Sequence, residues 1–134
     1  MSAFRQMNTV MNDSAALVKS LKKRFKEVEK HVSPQSLYGH HNDIRPEKAE
    51  ICIRRKHVGS ASNDIGFAKN EKGNYTAIIS AYDQGKYNEK WLDALTTDYQ
   101  VEKAMSVMGE FNTELEEQTT LPDGSVQMRF LVHA

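Results

Sequence analysis

The densest run of chemically capable side chains is Arg54-Arg55-Lys56-His57-Val58-Gly59-Ser60-Ala61-Ser62-Asn63-Asp64-Ile65-Gly66. Three cations at the end of an apolar strand pattern lead into small residues rich in amides and hydroxyls. Arginine grips a phosphate or carboxylate through a planar fork, and a Gly/Ser loop lets backbone N–H groups approach an anion. The run is neither a phosphate-binding P-loop nor a dinucleotide fingerprint, because no glycine-rich stretch ends in Gly-Lys-Ser/Thr and the spaced glycines are missing. The competing reading is a self-bonded turn built from Ser60, Ser62, Asn63 and Asp64, with the cations merely solvated. His57, Ser60 or Ser62, and Asp64 also hold the residue types of a nucleophilic triad. Such groups normally come from separate elements, and the strained nucleophile turn is absent.

A second polar cluster is Tyr38-Gly39-His40-His41-Asn42-Asp43-Ile44-Arg45. Adjacent histidines can ligate a metal, but the usual ligand spacings are missing and no cysteine pair completes a zinc site, so neither metal nor cofactor is expected. Joined across the fold, the two clusters would form a patch of Tyr38, His40, Arg45, Arg54, Arg55 and His57. Cys52, between two isoleucines, reads as a packing residue. Glu114, Glu116 and Glu117 read as an exposed acidic strand before they read as general acids or bases.

The elements that must position these residues follow from periodicity. Residues 4–10 form a weak opening strand. Asn12 or Asp13 caps a helix with Leu17, Val18, Leu21 and Phe25 inward and Lys19, Lys22, Lys23 and Lys26 on the solvated face. Glu27–Ser33 reads as a half-buried or edge strand. The breakers Pro34, Gly39, Asn42, Asp43 and Pro46 make residues 34–48 a long connection. Residues 49–56 alternate as a strand, and 64–69 and 74–82 form two more, joined by the tight turn Glu71-Lys72-Gly73-Asn74. Asn88 caps a helix with Trp91, Leu92, Leu95 and Tyr99 inward. Its stripe then shifts to Val101, Ala104, Met105 and Met108, which predicts a bend near Thr96-Thr97 and a stop at Gly109. Phe111–Thr119 and Ser125–Val132 are strands around Leu121-Pro122-Asp123-Gly124. The sum is one α+β domain over 1–134, with a mainly antiparallel sheet of six to seven strands and both helices on one face. Its order is that of a βαββ unit, an extra strand, and a second βαββ unit.

Composition bounds the function. The 134 residues carry 18 basic and 18 acidic side chains, 39% apolar residues and one cysteine. Roughly two thirds of the surface can be buried, enough for a core without disulfides. A single cysteine fits a reducing compartment, no apolar run spans a bilayer, and the polar opening Met1-Ser2-Ala3-Phe4-Arg5-Gln6 is no signal peptide. The zero net charge is uneven: residues 1–70 hold 13 Lys/Arg against 7 Asp/Glu, and residues 71–134 hold 5 against 11. Separate basic and acidic faces attract oppositely charged partners, or further copies of the chain, unless the halves interleave.

Three stretches carry a resemblance: Leu37-Tyr38-Gly39-His40 through Arg45-Pro46-Glu47-Lys48-Ala49, the run Arg54 to Phe67, and Tyr82-Asp83 through Lys86-Tyr87-Asn88-Glu89-Lys90-Trp91-Leu92. Together they resemble the hypothetical chloroplast reading frame thirty-five family of cyanobacteria, plastids and cyanophages, a domain of unknown function. The resemblance implies a soluble protein of photosynthetic lineages with no assigned reaction, in the cytoplasm, the plastid stroma or an infected host's cytoplasm. It also implies a neighbouring AAA-type ATPase as partner or adaptor target. Members often carry histidine where this chain has Ala3.

The leading expectation is a non-enzymatic binding or adaptor module that recognises an acidic protein partner or anion. Its residues are Tyr38, His40, Arg45, Arg54, Arg55, Lys56, His57, Ser60, Ser62, Asn63 and Asp64. The rivals are a nucleotide or nucleic-acid binder using the same loops plus the Lys19–Lys26 helix face, and an enzyme of unrecognised type using His57, Ser60 and Asp64.

Overall fold

Strict alternation in three central strands builds a sheet with two different faces. The computed structural model describes residues 3–110 and 113–132. Its elements run β1 (Phe4–Asn8), α1 (Ser14–Lys22), β2 (Glu29–Tyr38), β3 (Ile44–Ile53), a short 3-10 turn (Arg55–His57), β4 (Ile65–Lys69) and β5 (Tyr75–Ser80). A second 3-10 turn (Asp83–Gly85), α2 (Glu89–Gly109), β6 (Thr113–Thr120) and β7 (Val126–Val132) complete it. The α+β class, the seven antiparallel strands and the two helices are as expected, and the strands divide into a five-stranded sheet, β1-β5-β4-β3-β2, and a separate β6-β7 hairpin.

Ile51 and Ile53, Ile65 and Phe67, and Tyr75, Ala77 and Ile79 point to one face, where they meet Ala16, Leu17 and Leu21 of α1 and Leu92, Leu95 and Tyr99 of α2. Both helices therefore lie on that face. Phe25, Tyr87 and Trp91 close its edge with ring centroids 5.1–6.1 Å apart. On the other face Leu37, Ala49, Cys52 and Ile78 form a smaller cluster. Gly66 is required there by space: a Cβ would stand 2.8 Å from that of Ala49 and 2.9 Å from a Leu37 methyl.

The caps behave as their residue types dictate. Asp13 accepts from the Ala16 N–H at 3.1 Å, and Asn88 accepts from the Trp91 N–H at 3.0 Å. The two helices are tied together where the Tyr99 hydroxyl accepts from the Asn12 and Asp13 N–H groups. Gly73, at φ +84°, supplies the left-handed residue of the β4–β5 turn.

Two expectations need correction. The connection placed at residues 34–48 is mostly strand, since β2 runs on to Tyr38 and β3 begins at Ile44, leaving a tight turn at 39–43. Proline survives in both strands because the ladder slips where each sits. Register shifts fall between Lys30 and Gln35, around Pro34, and between Ser36 and Tyr38, opposite Pro46. At a bulge the missing N–H costs no ladder bond. The helix α2 also passes unbroken through Thr96 and Thr97, whose hydroxyls bond back to the carbonyls of Leu92 and Asp93. The shift of its apolar stripe has another cause: α2 leaves the main core after Tyr99 and faces the β6–β7 hairpin. The strand expected from Phe111 begins at Thr113, and Phe111 and Asn112 lie outside the described residues.

Candidate functional site

The corner where β3 ends is built around one buried carboxylate. Asp64, 1% exposed, stands just before β4, where its Oδ2 accepts from Arg54 Nη1 and from the Tyr38 N–H, both at 2.8 Å. Its Oδ1 accepts from the Arg55 N–H at 2.7 Å, and its own N–H donates to the Tyr38 carbonyl at 3.0 Å. One side chain thus pins the end of β2 to the turn after β3. Arg54 is held from two more sides, its Nε donating to Glu29 Oε2 at 3.0 Å and its Nη1 to the Ser36 carbonyl at 2.9 Å. Its guanidinium also lies 5.6 Å from the centroid of the Tyr38 ring. Burial works to lower the Arg54 pKa, but the hydrogen bonds it donates to Glu29 and Asp64 outweigh it and hold the group charged. The same contact with Arg54, reinforced by His31 at 2.8 Å, holds the Glu29 carboxyl below its ordinary value against the opposing effect of burial.

A second buried network adjoins the first. Asn63 donates its N–H to Asp83 Oδ2 at 3.0 Å and its side-chain amide to Ser80 Oγ at 2.9 Å, and accepts the His40 N–H at 2.9 Å. Ser80 Oγ closes the ring by donating to Asp83 Oδ2 at 2.8 Å. Every polar group of Asn63 used here is satisfied, as a buried amide requires. Ser62 is buried under Gly59, where a Cβ would sit 2.7 Å from the Ser62 hydroxyl. The three stretches singled out in the sequence, around residues 37–49, 54–67 and 82–92, therefore meet at these two networks.

Beside them opens a concave pocket of about 330 Å³, lined by Tyr38, Asn42, Arg54, Arg55, Lys56 and Asp64. Arg55 is half-buried and Lys56 exposed, and neither side chain has a carboxylate partner among the described residues. Asn42 reaches the rim from the β2–β3 turn in a left-handed conformation, φ +63°, which asparagine tolerates better than most residues.

Of the eleven residues nominated from the sequence, five line this pocket: Tyr38, Arg54, Arg55, Lys56 and Asp64. Ser62 and Asn63 support it from beneath, and Ser60 is exposed on the turn. The wider patch does not assemble. Arg45 lies 5.3 Å over the Phe4 ring and 3.6 Å from Asp43 Oδ2, an ion pair too long for a hydrogen bond. The His40 ring lies tilted against that of His41, centroids 3.9 Å apart, and His57 turns to Glu27 at 3.2 Å. The triad is not formed either, because Asp64 serves Arg54 and two backbone amides while His57 Nε2 faces Glu27. The lysine face of α1 is partly neutralised by α2, through Lys23 to Glu102 at 2.7 Å and its neighbour Arg24 to Asp98 at 2.6 Å. Among the described residues no group of three or more His, Cys, Asp or Glu side chains is placed to hold a metal ion.

Sequence reasoning missed Glu29, Asn42, Ser80 and Asp83. Asn42 and Asp83 stood beside or inside flagged stretches. Glu29 carries no local signal, because its role comes from standing opposite Cys52 in the β2–β3 ladder, two residues from Arg54.

A protein-family model described as "Protein of unknown function (DUF1257)" matches residues 19–129. The chain belongs to this family. The match runs from the second half of α1 into the middle of β7 and so covers the pocket, both buried networks and α2. No curated protein and no solved structure matches the chain. No helix among the described residues of this DUF1257 protein is long and apolar enough to cross a membrane.

Proposed function

We propose that this DUF1257 protein is a binding or adaptor module that receives carboxylates of an acidic protein partner in the Tyr38–Arg55–Lys56 pocket. One observation carries the reading: two adjacent cations without a carboxylate partner among the described residues line a concave site, while the neighbouring Arg54 is tied to Glu29, Asp64 and the Ser36 carbonyl as its wall. A guanidinium and an ammonium at a pocket rim bind carboxylate through charge-assisted hydrogen bonds. An adaptor acting on an AAA-type ATPase in a cyanobacterial, plastid or cyanophage setting, in cytoplasm or stroma, accords with the motif blocks around this pocket.

The test is fluorescence anisotropy with a labelled oligoglutamate peptide, at low and high salt, against wild type and Arg55→Glu/Lys56→Glu. Wild type should bind at low salt, and the double variant should bind about tenfold or more weakly, the change of roughly 1.4 kcal/mol per tenfold step. Single-stranded RNA of matched length is the counter-probe. Tighter binding of RNA with steep salt dependence, or no binding of the peptide, overturns the reading.

A further inference from the structure

The C-terminal third of the chain presents the chemistry that the pocket lacks. Beyond Tyr99 no described residue is buried. The β6–β7 hairpin packs on α2 and, among the described residues, is hydrogen-bonded to no other strand. Its alternating residues Leu115, Val126, Met128 and Phe130 are only half-buried. Met105 and Val107 of α2 and Leu131 and Val132 of β7 are 41–68% exposed. A lone two-stranded hairpin is marginal in water without cover for its apolar face. The accessible surface, 8148 Å², also exceeds the roughly 7,100 Å² expected of a compact chain of this mass. That excess is comparable to the roughly 800 Å² that each partner buries in a standard interface.

Charge says what kind of surface covers it. Residues 100–132 hold six carboxylates against two cations, Lys103 and Arg129. Glu116 and Glu117 are about half exposed and share Arg129 at 3.5 and 3.1 Å. The opposite imbalance sits at the Arg55–Lys56 rim of the same chain.

We infer that a second copy of this chain is an acidic partner of the pocket, with the Glu116–Glu117 edge of one copy's hairpin docking on the Arg55–Lys56 rim of the other. The exposed apolar residues of β7 and late α2 lie within the same contact. The inference rests on the pocket reading above and names its partner. Two different patches meet, so the contact is heterologous unless two copies exchange it reciprocally, and a patch missing from one copy can be supplied by another.

Light scattering behind size exclusion tests this with four samples at low and high salt. The wild type should show an apparent mass at least about twice that of the monomer at low salt, falling at high salt. Arg55→Glu/Lys56→Glu and Glu116→Lys/Glu117→Lys should each be monomeric. A mixture of those two should recover a one-to-one dimer through the intact rim of one and the intact hairpin of the other. The chain carrying all four reversals should associate again. Circular dichroism confirms that each variant is folded. A monomeric wild type at low salt, or an unchanged mass for the hairpin variant, overturns the inference. If the monomeric wild type still binds oligoglutamate through Arg55 and Lys56, self-association fails and the pocket reading stands; if it binds none, both fail.

Discussion

Removing the Asp64 carboxylate should destabilise this protein by about 3 kcal/mol, the cost of breaking a buried ion pair by deleting one partner. The group accepts three hydrogen bonds of 2.7–2.8 Å, from Arg54 and from the Tyr38 and Arg55 amides. Counted separately at roughly 1.5–3 kcal/mol each for a charged acceptor, they would suggest a larger loss. Two features reduce it. Arg54 keeps Glu29 at 3.0 Å and the Ser36 carbonyl at 2.9 Å, so its charge is not stranded. The adjoining pocket of about 330 Å³ also gives water a path to the freed amides. With a melting shift of about 3–5 °C per kcal/mol for a chain of this size, Asp64→Ala should melt some 10–15 °C lower. Urea unfolding at neutral pH measures the loss directly. Arg54→Met alone, and the double variant, complete a cycle whose coupling should exceed about 1.5 kcal/mol, because the two side chains touch. Arg55→Ala should cost no more than about 0.5 kcal/mol, since that side chain has no ion pair to lose. A loss below about 1 kcal/mol for Asp64→Ala, or additivity in the cycle, refutes the assignment of Asp64 and Arg54 as the structural wall of the site.

Two further outcomes follow from neighbouring groups. The Glu29 carboxyl titrates below its ordinary 4.5 in the folded protein, chiefly through its hydrogen bond to Arg54. It therefore stabilises the fold above that value and stops doing so as pH falls through its lower folded value. The urea midpoints of wild type and Glu29→Gln should differ at neutral pH and converge as pH drops below 4.5; a gap independent of pH counts against the pairing. Burial pushes the Cys52 thiol up to about 12, and the side chain is fully enclosed, its Sγ 3.3 Å from the Ala49 carbonyl. Ellman's reagent should leave it untouched in the native protein at mildly alkaline pH and label it on unfolding, whereas native labelling at the rate of free cysteine would place Cys52 outside the core.

How much of this was legible in the residues depended on whether the cause was local. Ile51, Ile53, Ile65, Phe67, Ala77 and Ile79 alternate within their own strands, so the sheet's helix-facing side could be read directly. Asp13 and Asn88 announced their helices for the same reason. Pro34 and Pro46 misled because a proline reports only on its own N–H, whereas a bulge belongs to the pairing of two strands. Thr96 and Thr97 misled because a shift in apolar stripe has the same pattern whether a helix bends or exchanges one neighbour for another. The pocket was legible in part because Arg54, Arg55, Lys56 and Asp64 turn one tight corner. Glu29 was invisible there, since its partner is two residues beyond its ladder position and 25 residues away in sequence.

The division of labour between adjacent arginines limits what this pocket can bind. Arg54 faces two carboxylates, Glu29 and Asp64, so the trio carries one net negative charge. Arg55 and Lys56 at the mouth first offset that charge, and the site as a whole retains a single net positive charge. At a surface exposed to water one such charge contributes on the order of 1 kcal/mol or less to an ion pair. A free phosphate ion would then gain little there. Useful affinity needs a ligand that meets Arg55 and Lys56 together, as successive carboxylates of an acidic peptide do, and apolar contact beside them raises it further. An acidic strand edge backed by apolar residues offers both, and the β6–β7 hairpin has one: Glu117 stands opposite Arg129 in its ladder, with the exposed Leu131 two residues further along β7.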